Sequence, residues 1–189
     1  RLLEYVQSLG ATAAKEAPFH ARFQEPLADI LTRRASDTPL TDSSAPREVL
    51  LQRMVVEVAP DGTARRYQRV VERVRNAVGA KELDRRGFAA FPGENEVRVL
   101  TADVLHADGS VGRARTGRTG GGGSFTVDLP PLVAGDIVDL EWRHDDLRPS
   151  IFGTYFGLDA GFSPDPRLAV RESEVIVLAR PGVDLTQHI

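Results

Sequence analysis

The chain has no cysteine among its 189 residues, and this absence excludes several kinds of chemistry at once. Disulfides, thiolate catalysis and cysteine-ligated metals all require the missing sulfur. Excess positive charge is missing too: the net charge is −3 at pH 7, whereas a nucleic-acid-binding surface must neutralise phosphates. No apolar run approaches the roughly twenty residues that cross a bilayer. We therefore expect neither a nucleic-acid partner nor membrane insertion.

What is present is the composition of a folded globular protein. Hydrophobic residues make up 41% of the chain and charged residues 27%. A chain of this length can form one substantial core with a small appendage. It begins Arg1-Leu2-Leu3-Glu4, without an initiating methionine or a signal-peptide pattern, so we expect it to be a piece of a larger protein.

The beginning of the chain is predicted to be helical. Apolar residues at helical spacing share one face: Leu2, Val6, Leu9 and Ala13. A second apolar set follows Pro26, a residue that suits the first turn of a helix. Residues 36–46 are rich in Ser, Thr, Asp and Pro, which is typical of turns and linkers. We therefore divide the chain into residues 1–45, a helical segment and linker that end an upstream helical region, and residues 46–189, a second domain.

From residue 46 onward the pattern is that of β-strands. Two strand-like segments flank the pair Asp61-Gly62, which favours a tight antiparallel hairpin. Further on, Val138, Leu140 and Trp142 alternate with three other side chains, which predicts burial with a period of two. The glycine-rich residues 116–123 are predicted to be a loop. Many short strands with turns between them predict a mainly-β fold, an antiparallel β-sandwich with a short N-terminal helical segment.

Three blocks of this region resemble a known family. Residues 96–110 form a strand-plus-turn block, residues 131–142 a Gly-Asp turn that opens a strand ending in an aromatic residue, and residues 175–178 a strand followed by Pro181 and Gly182. Together they are similar to the bacterial domain of unknown function that precedes transglutaminase-like, papain-like domains. The resemblance covers about residues 46–189.

The resemblance implies a β-rich, sandwich-like accessory domain without catalytic residues or a cofactor. Its partner would be a downstream transglutaminase-like domain of the same chain, which it would position or gate. The resemblance also favours the cell envelope or periplasm.

The turn residues are interpreted as structural: Asp61, Gly62, Asp108, Gly109, Gly135 and Asp136. Glycine adopts backbone angles that other residues avoid, and each aspartate can accept a local backbone hydrogen bond. These six residues are therefore expected to shape the fold and not to bind a ligand.

The segment His144-Asp145-Asp146 combines side chains that ligate metals, and Asp139 and Glu141 lie on the same predicted strand. On an extended strand, however, these five side chains point to two different faces. They cannot converge without a bend. We therefore expect an acidic strand end without a metal, and a metal-dependent hydrolase is the weakest hypothesis.

Two other catalytic patterns are also incomplete. The glycine-rich residues 117–124 lack the Lys-Ser or Lys-Thr pair that opens a helix in phosphate-binding loops. No Gly-x-Ser-x-Gly elbow occurs, and the four histidines lie in unrelated contexts. We therefore predict that the chain is not an enzyme.

An aromatic platform is the remaining binding hypothesis. Flat rings stack on sugars and peptides, and Trp142, Phe152 and Tyr155 are the candidates. Because Phe152 and Phe156 share one strand parity, core packing competes with this interpretation. The alternative function is therefore a glycan- or peptide-binding module.

Overall fold

The computed structural model describes residues 18–38, 44–118, 123–149, 156 and 168–183. The helical elements are a 3-10 helix, Ala21–Phe23, and two α-helices, α1 (Leu27–Arg34) and α2 (Ala77–Leu83). The strands are β1 (Arg47–Val58), β2 (Ala64–Val74), β3 (Arg85–Phe88), β4 (Asn95–Leu105), β5 (Val111–Arg113), β6 (Arg115–Arg118), β7 (Phe125–Asp128), β8 (Ile137–Asp146), β9 (Ala169–Val170) and β10 (Ser173–Ala179).

A large sheet with the strand order β10-β1-β2-β8-β4-β5 forms the centre of the fold, and β9 also pairs with β1. β1 and β2 form the hairpin predicted from Asp61-Gly62, with Val58 opposite Ala64. β8 lies between β2 and β4 and is antiparallel to both. The mainly-β class, the mostly antiparallel sheets and the short helix near the N-terminus are thereby confirmed.

One edge of this sheet departs from the antiparallel prediction. β9 and β10 run parallel to β1, with Met54 opposite Val175. β8 runs in the same direction as β1, because each is antiparallel to β2, so the chain must cross over from β8 before it enters β9 in that direction. Such a crossover needs a dozen or more residues, and the chain between Asp146 and Ala169 has that length. Period-two patterns do not specify strand direction, so the sequence could not distinguish the two arrangements.

A second, smaller sheet has the order β3-β7-β6 and is antiparallel throughout. Its strand β6 corrects the prediction of a loop over residues 116–123, because Gly117 pairs with Thr126. Glycine destabilises a strand, but here the backbone of β7 provides the hydrogen-bonding partner for β6. Residues 119–122 lie outside the described residues.

The small sheet packs on one face of the large sheet. Phe88 and Val127 from the small sheet form one buried cluster with Leu140 and Trp142 of β8. The helix α2 covers the same face, where Leu83 joins a cluster with strands β2, β4 and β8. The two sheets therefore form two packed layers with a buried apolar cluster between them.

The N-terminal segment packs on the opposite face of the large sheet. Ile30 of α1 is fully buried and contacts apolar side chains of three strands: Leu50, Leu51, Val71 and Ile137. Pro26 lies immediately before α1, at its N-cap. The first predicted helical face, from Leu2 to Ala13, lies outside the described residues. None of the described helices is long and apolar enough to cross a membrane.

β8 is covered on both faces, and this corrects the prediction of period-two burial. All six residues from Ile137 to Trp142 are buried, including Asp139 and Glu141. The small sheet covers Leu140 and Trp142, α2 covers Val138 through Leu83, and the N-terminal segment lies over the other face. The fold therefore buries two carboxylates that a half-covered strand would leave in water.

Candidate functional site

The turn residues lie where the sequence analysis placed them. Gly62, Gly109 and Gly135 have φ angles of 82°, 84° and 99°, the left-handed region that favours glycine. Asp61 Oδ1 accepts hydrogen bonds from the backbone nitrogen (3.0 Å) and hydroxyl (2.7 Å) of Thr63. These bonds lower the pKa of Asp61, as equivalent bonds from Ser110 do for Asp108.

Asp136 connects two turns. Its side chain is completely buried, and its Oδ2 accepts a hydrogen bond from Val133 N (2.9 Å) and lies 3.1 Å from His106 Nδ1. A histidine oriented by an aspartate is part of many hydrolytic sites. The nearest serine in sequence, Ser110, instead donates its hydroxyl to Asp108 at 2.6 Å. The pair thus joins the end of β4 to the start of β8.

The acidic end of β8 is engaged by arginines. Asp145 forms an ion pair with Arg143, and Asp146 Oδ1 accepts a hydrogen bond from Arg66 at 2.7 Å. Asp146 Oδ2 also accepts one from Ala64 N at 2.9 Å. Burial, followed by the charge of Arg66, lowers the pKa of His144. Within the described ranges, three or more potential ligands do not gather into a metal-binding group.

Of the three aromatic candidates, Trp142 lies among the described residues. Trp142 is only 7% exposed and meets the Phe88 ring edge-on, with 5.7 Å between ring centroids. Arg86 lies over the same indole ring at 5.8 Å. Phe152 and Tyr155 fall outside the described residues. Trp142 therefore belongs to the core between the two sheets.

A buried charge network on the opposite face was missed by the sequence analysis. Arg69, which is 3% exposed, donates two hydrogen bonds to Asp139, at 2.9 and 2.8 Å. Its Nε also lies 3.2 Å from Glu141 Oε1. One cation thus meets two buried carboxylates. Asp139 and Glu141 were recognised in the sequence, but their partner lies 70 residues away in β2.

The N-terminal segment covers this network, and we call its residues 18–34 the strap. Gln24 Nε2 donates to Glu141 Oε2 at 2.9 Å, and Arg69 Nη1 donates to the carbonyl of Glu25. Arg53 Nη1 donates to the carbonyl of Phe23 at 2.7 Å. These bonds attach the first half of the strap to charged groups on the sheet.

A second set of contacts anchors the strap through aromatic rings. The His20 imidazole stacks on Tyr67, with centroids 4.6 Å apart and planes 6° from parallel. Burial, then the nearby Glu141 carboxylate, raises the pKa of the Tyr67 hydroxyl. Burial also lowers the pKa of His20. Both rings are therefore neutral near pH 7, and the charges of this face remain on Arg69 and the carboxylates.

The sequence matches no protein-family model, and no curated protein matches it. Among solved structures, the chain is similar to a candidate protease from Parabacteroides distasonis, with a TM-score of 0.57 and 12% identity over 74% of this chain. An M1 zinc metallopeptidase from Deinococcus radiodurans matches 53% of this chain, with a TM-score of 0.33 and 19% identity. Yeast LTA4 hydrolase matches 64% of this chain, with a TM-score of 0.28 and 16% identity. The matched region spans 30% of the Parabacteroides protein, 20% of the Deinococcus protein and 19% of the yeast protein. At these low identities the similarity concerns the fold alone.

Proposed function

We propose that this chain is a non-catalytic accessory domain that positions or gates a transglutaminase-like catalytic domain located downstream of it in the same protein. The observation that carries the proposal is the similarity to the candidate protease from Parabacteroides distasonis, of which this fold forms only 30%. In that protein the fold is one part of a larger polypeptide. Transglutaminase-like domains are papain-like, so a protease-related neighbour agrees with the family resemblance of residues 46–189.

The chemistry of the described residues supports an accessory role. Three carboxylates of β8 that were candidate metal ligands form ion pairs with arginines: Asp139 with Arg69, Asp146 with Arg66 and Asp145 with Arg143. A carboxylate held in an ion pair with neighbouring hydrogen bonds stabilises local structure and does not act readily as a base. These groups therefore serve the fold.

One end of the large sheet offers a surface for a neighbouring domain. Phe91 and Leu147 are both more than half exposed. Backbone hydrogen bonds through Glu94 connect their segments: Glu94 N donates to the Phe91 carbonyl at 2.9 Å, and Leu147 N donates to the Glu94 carbonyl at 2.8 Å. Large apolar side chains are expensive to leave in water, and exposed apolar patches mark interaction sites. We place the contact with the downstream domain at this end.

Hydrogen–deuterium exchange tests the proposal on the full-length parent protein and on this chain alone. We expect the segments around Phe91 and Leu147 to exchange more slowly in the parent, because the neighbouring domain covers them. Phe91→Asp and Leu147→Asp should weaken that protection and alter the parent's transamidation or proteolysis rate, while the isolated chain keeps its Tm. Val133→Asp is the matched control, since Val133 is equally exposed but precedes β8 at the opposite end of the sheet.

The proposal fails if the parent gene encodes no Cys-His-Asp catalytic domain after this chain. It also fails if the chain alone hydrolyses or transamidates substrates.

A further inference from the structure

We propose that the strap is an acid-released cover for the charged face of the large sheet, and that His20 is the proton-sensing residue. The inference goes beyond the accessory role and does not depend on it, because every contact involved lies within this chain.

His20 occupies a site suited only to a neutral imidazole. The residue is 3% exposed, and its ring lies between two others: Tyr67 stacks on it, and Phe19 meets it edge-on at 5.1 Å. Its Nδ1 is buried and has no hydrogen-bond partner among the described residues. A protonated imidazole needs an acceptor at each ring nitrogen, and the described residues supply none to Nδ1.

The charges around His20 also oppose its protonation. Arg65 of β2 and Arg143 of β8 both lie over the Phe19 ring, at 5.2 and 5.4 Å. Burial lowers the pKa of His20 most, the charge of Arg143 lowers it further and that of Arg65 adds to this, while Asp145 partly opposes them. Asp145 forms its own ion pair with Arg143. The docked strap thus holds His20 without its second proton.

The two halves of the strap are attached by different forces. Around Phe23, Gln24 and Glu25 the contacts are hydrogen bonds to charged groups, which water can replace. In α1 the fully buried Ile30 packs within an apolar cluster, and Arg33 and Arg34 form ion pairs with Glu172. Protonation should therefore open residues 18–25 first and leave α1 docked. Opening would expose Tyr67, Arg69, Asp139 and Glu141.

The direction of the pH dependence follows from proton binding. The open strap binds more protons than the docked strap, because His20 regains its ordinary pKa of 6.5 when solvated. Docking is therefore unaffected by pH above 6.5 and weakens as the pH falls below it. Between pH 7.5 and 5.5 one such histidine raises the opening equilibrium by at most about tenfold, the limit for a docked His20 that binds no proton.

Hydrogen–deuterium exchange of the 189-residue chain, corrected for the intrinsic pH dependence of exchange, measures this opening. We expect protection of residues 18–25 to fall from pH 7.5 to 5.5, by at most about tenfold, with α1 much less affected. His20→Phe keeps a flat ring against Tyr67 but cannot bind a proton, so its strap should lose the pH response. His144→Gln is the control, because His144 is partly buried and also has a lowered pKa but lies outside the strap.

Two results would overturn the proposal. One is strap protection in the wild-type chain that stays constant between pH 7.5 and 5.5. The other is an equal pH response in His20→Phe. If His20→Phe does not fold, NMR titration of His20 in the wild-type chain decides the matter: a pKa below 6.5 supports the mechanism, and a pKa at or above 6.5 contradicts it.

Discussion

Replacing Arg69 by methionine would leave two buried carboxylates without the cation that binds them. Arg69 makes both hydrogen bonds to Asp139, lies 3.2 Å from Glu141 and also donates to the strap carbonyl of Glu25. Methionine is similar in length and is tolerated in irregular cores, so the substitution removes the charge and the donors with little change in volume. The loss should therefore be electrostatic.

The expected loss of stability is large. Breaking a buried ion pair by removing one partner costs about 3–5 kcal/mol, since the remaining charge stays buried without compensation. For a chain of this size, that corresponds to a fall in Tm of about 6–20 °C. Because a neutral carboxyl is cheaper to bury than a carboxylate, the deficit of Arg69→Met should shrink from pH 7.5 to pH 5.

Urea unfolding followed by circular dichroism measures this loss. Arg98→Met is the matched control: Arg98 bonds Glu96 at 2.8 Å, but its side chain is 61% exposed. Exposed pairs contribute at most about 1 kcal/mol, so Arg98→Met should change stability little. Adding Asp139→Asn and Glu141→Gln to Arg69→Met should recover part of the lost stability. A loss for Arg69→Met no larger than that for Arg98→Met would refute the reasoning.

Three further outcomes are expected, each measured as a change in Tm or in the free energy of unfolding. Gly79→Ala should destabilise by about 1–3 kcal/mol, because its Cβ would lie 1.9 Å from the carbonyl oxygen of Pro46, whereas Gly87→Ala meets no atom within 4 Å and should be neutral. Gly109→Val and Gly135→Val should each cost about 1–3 kcal/mol through strained turns, and an unchanged Tm in both would contradict the turn assignment. Trp142→Ala should cost about 3–5 kcal/mol by opening a cavity beside Phe88; a loss under about 1 kcal/mol would show that the ring is not core.

Features specified by adjacent residues were predictable from the sequence. The Asp61-Gly62 hairpin and the turns at Gly109 and Gly135 depend on local backbone angles, so all three followed from short segments. Strand direction at β10 and the pairing of β6 depend on partners far along the chain. Neither is encoded in the local pattern, so the antiparallel arrangement does not extend to β10, and the loop prediction was wrong at residues 116–118.

The charge network of Arg69 shows why the candidate site was harder to predict than the fold. Asp139 and Glu141 alternate with apolar residues, which on a strand covered on one face means exposure. Their burial depends on the strap, which is more than a hundred residues away in sequence. Because arginine and glutamate are common in this chain, its composition does not indicate which arginine pairs with Glu141. Only the register between β2 and β8, which places Arg69 opposite Glu141, identifies the partners.

The same register explains why the strap occupies one position on the sheet. An apolar seam tolerates sliding, because any similar side chain can fill the contact, whereas hydrogen bonds require particular atoms. The hydrogen bonds from Gln24 to Glu141 and from Arg69 to the Glu25 carbonyl form only when the strap lies at one position along the direction of β2 and β8. A shift by one residue would leave Glu141 without its amide donor in a buried position, at a cost of about 1–3 kcal/mol. The buried charges therefore determine where the strap docks, while Ile30 supplies the apolar contact that holds α1 on the sheet.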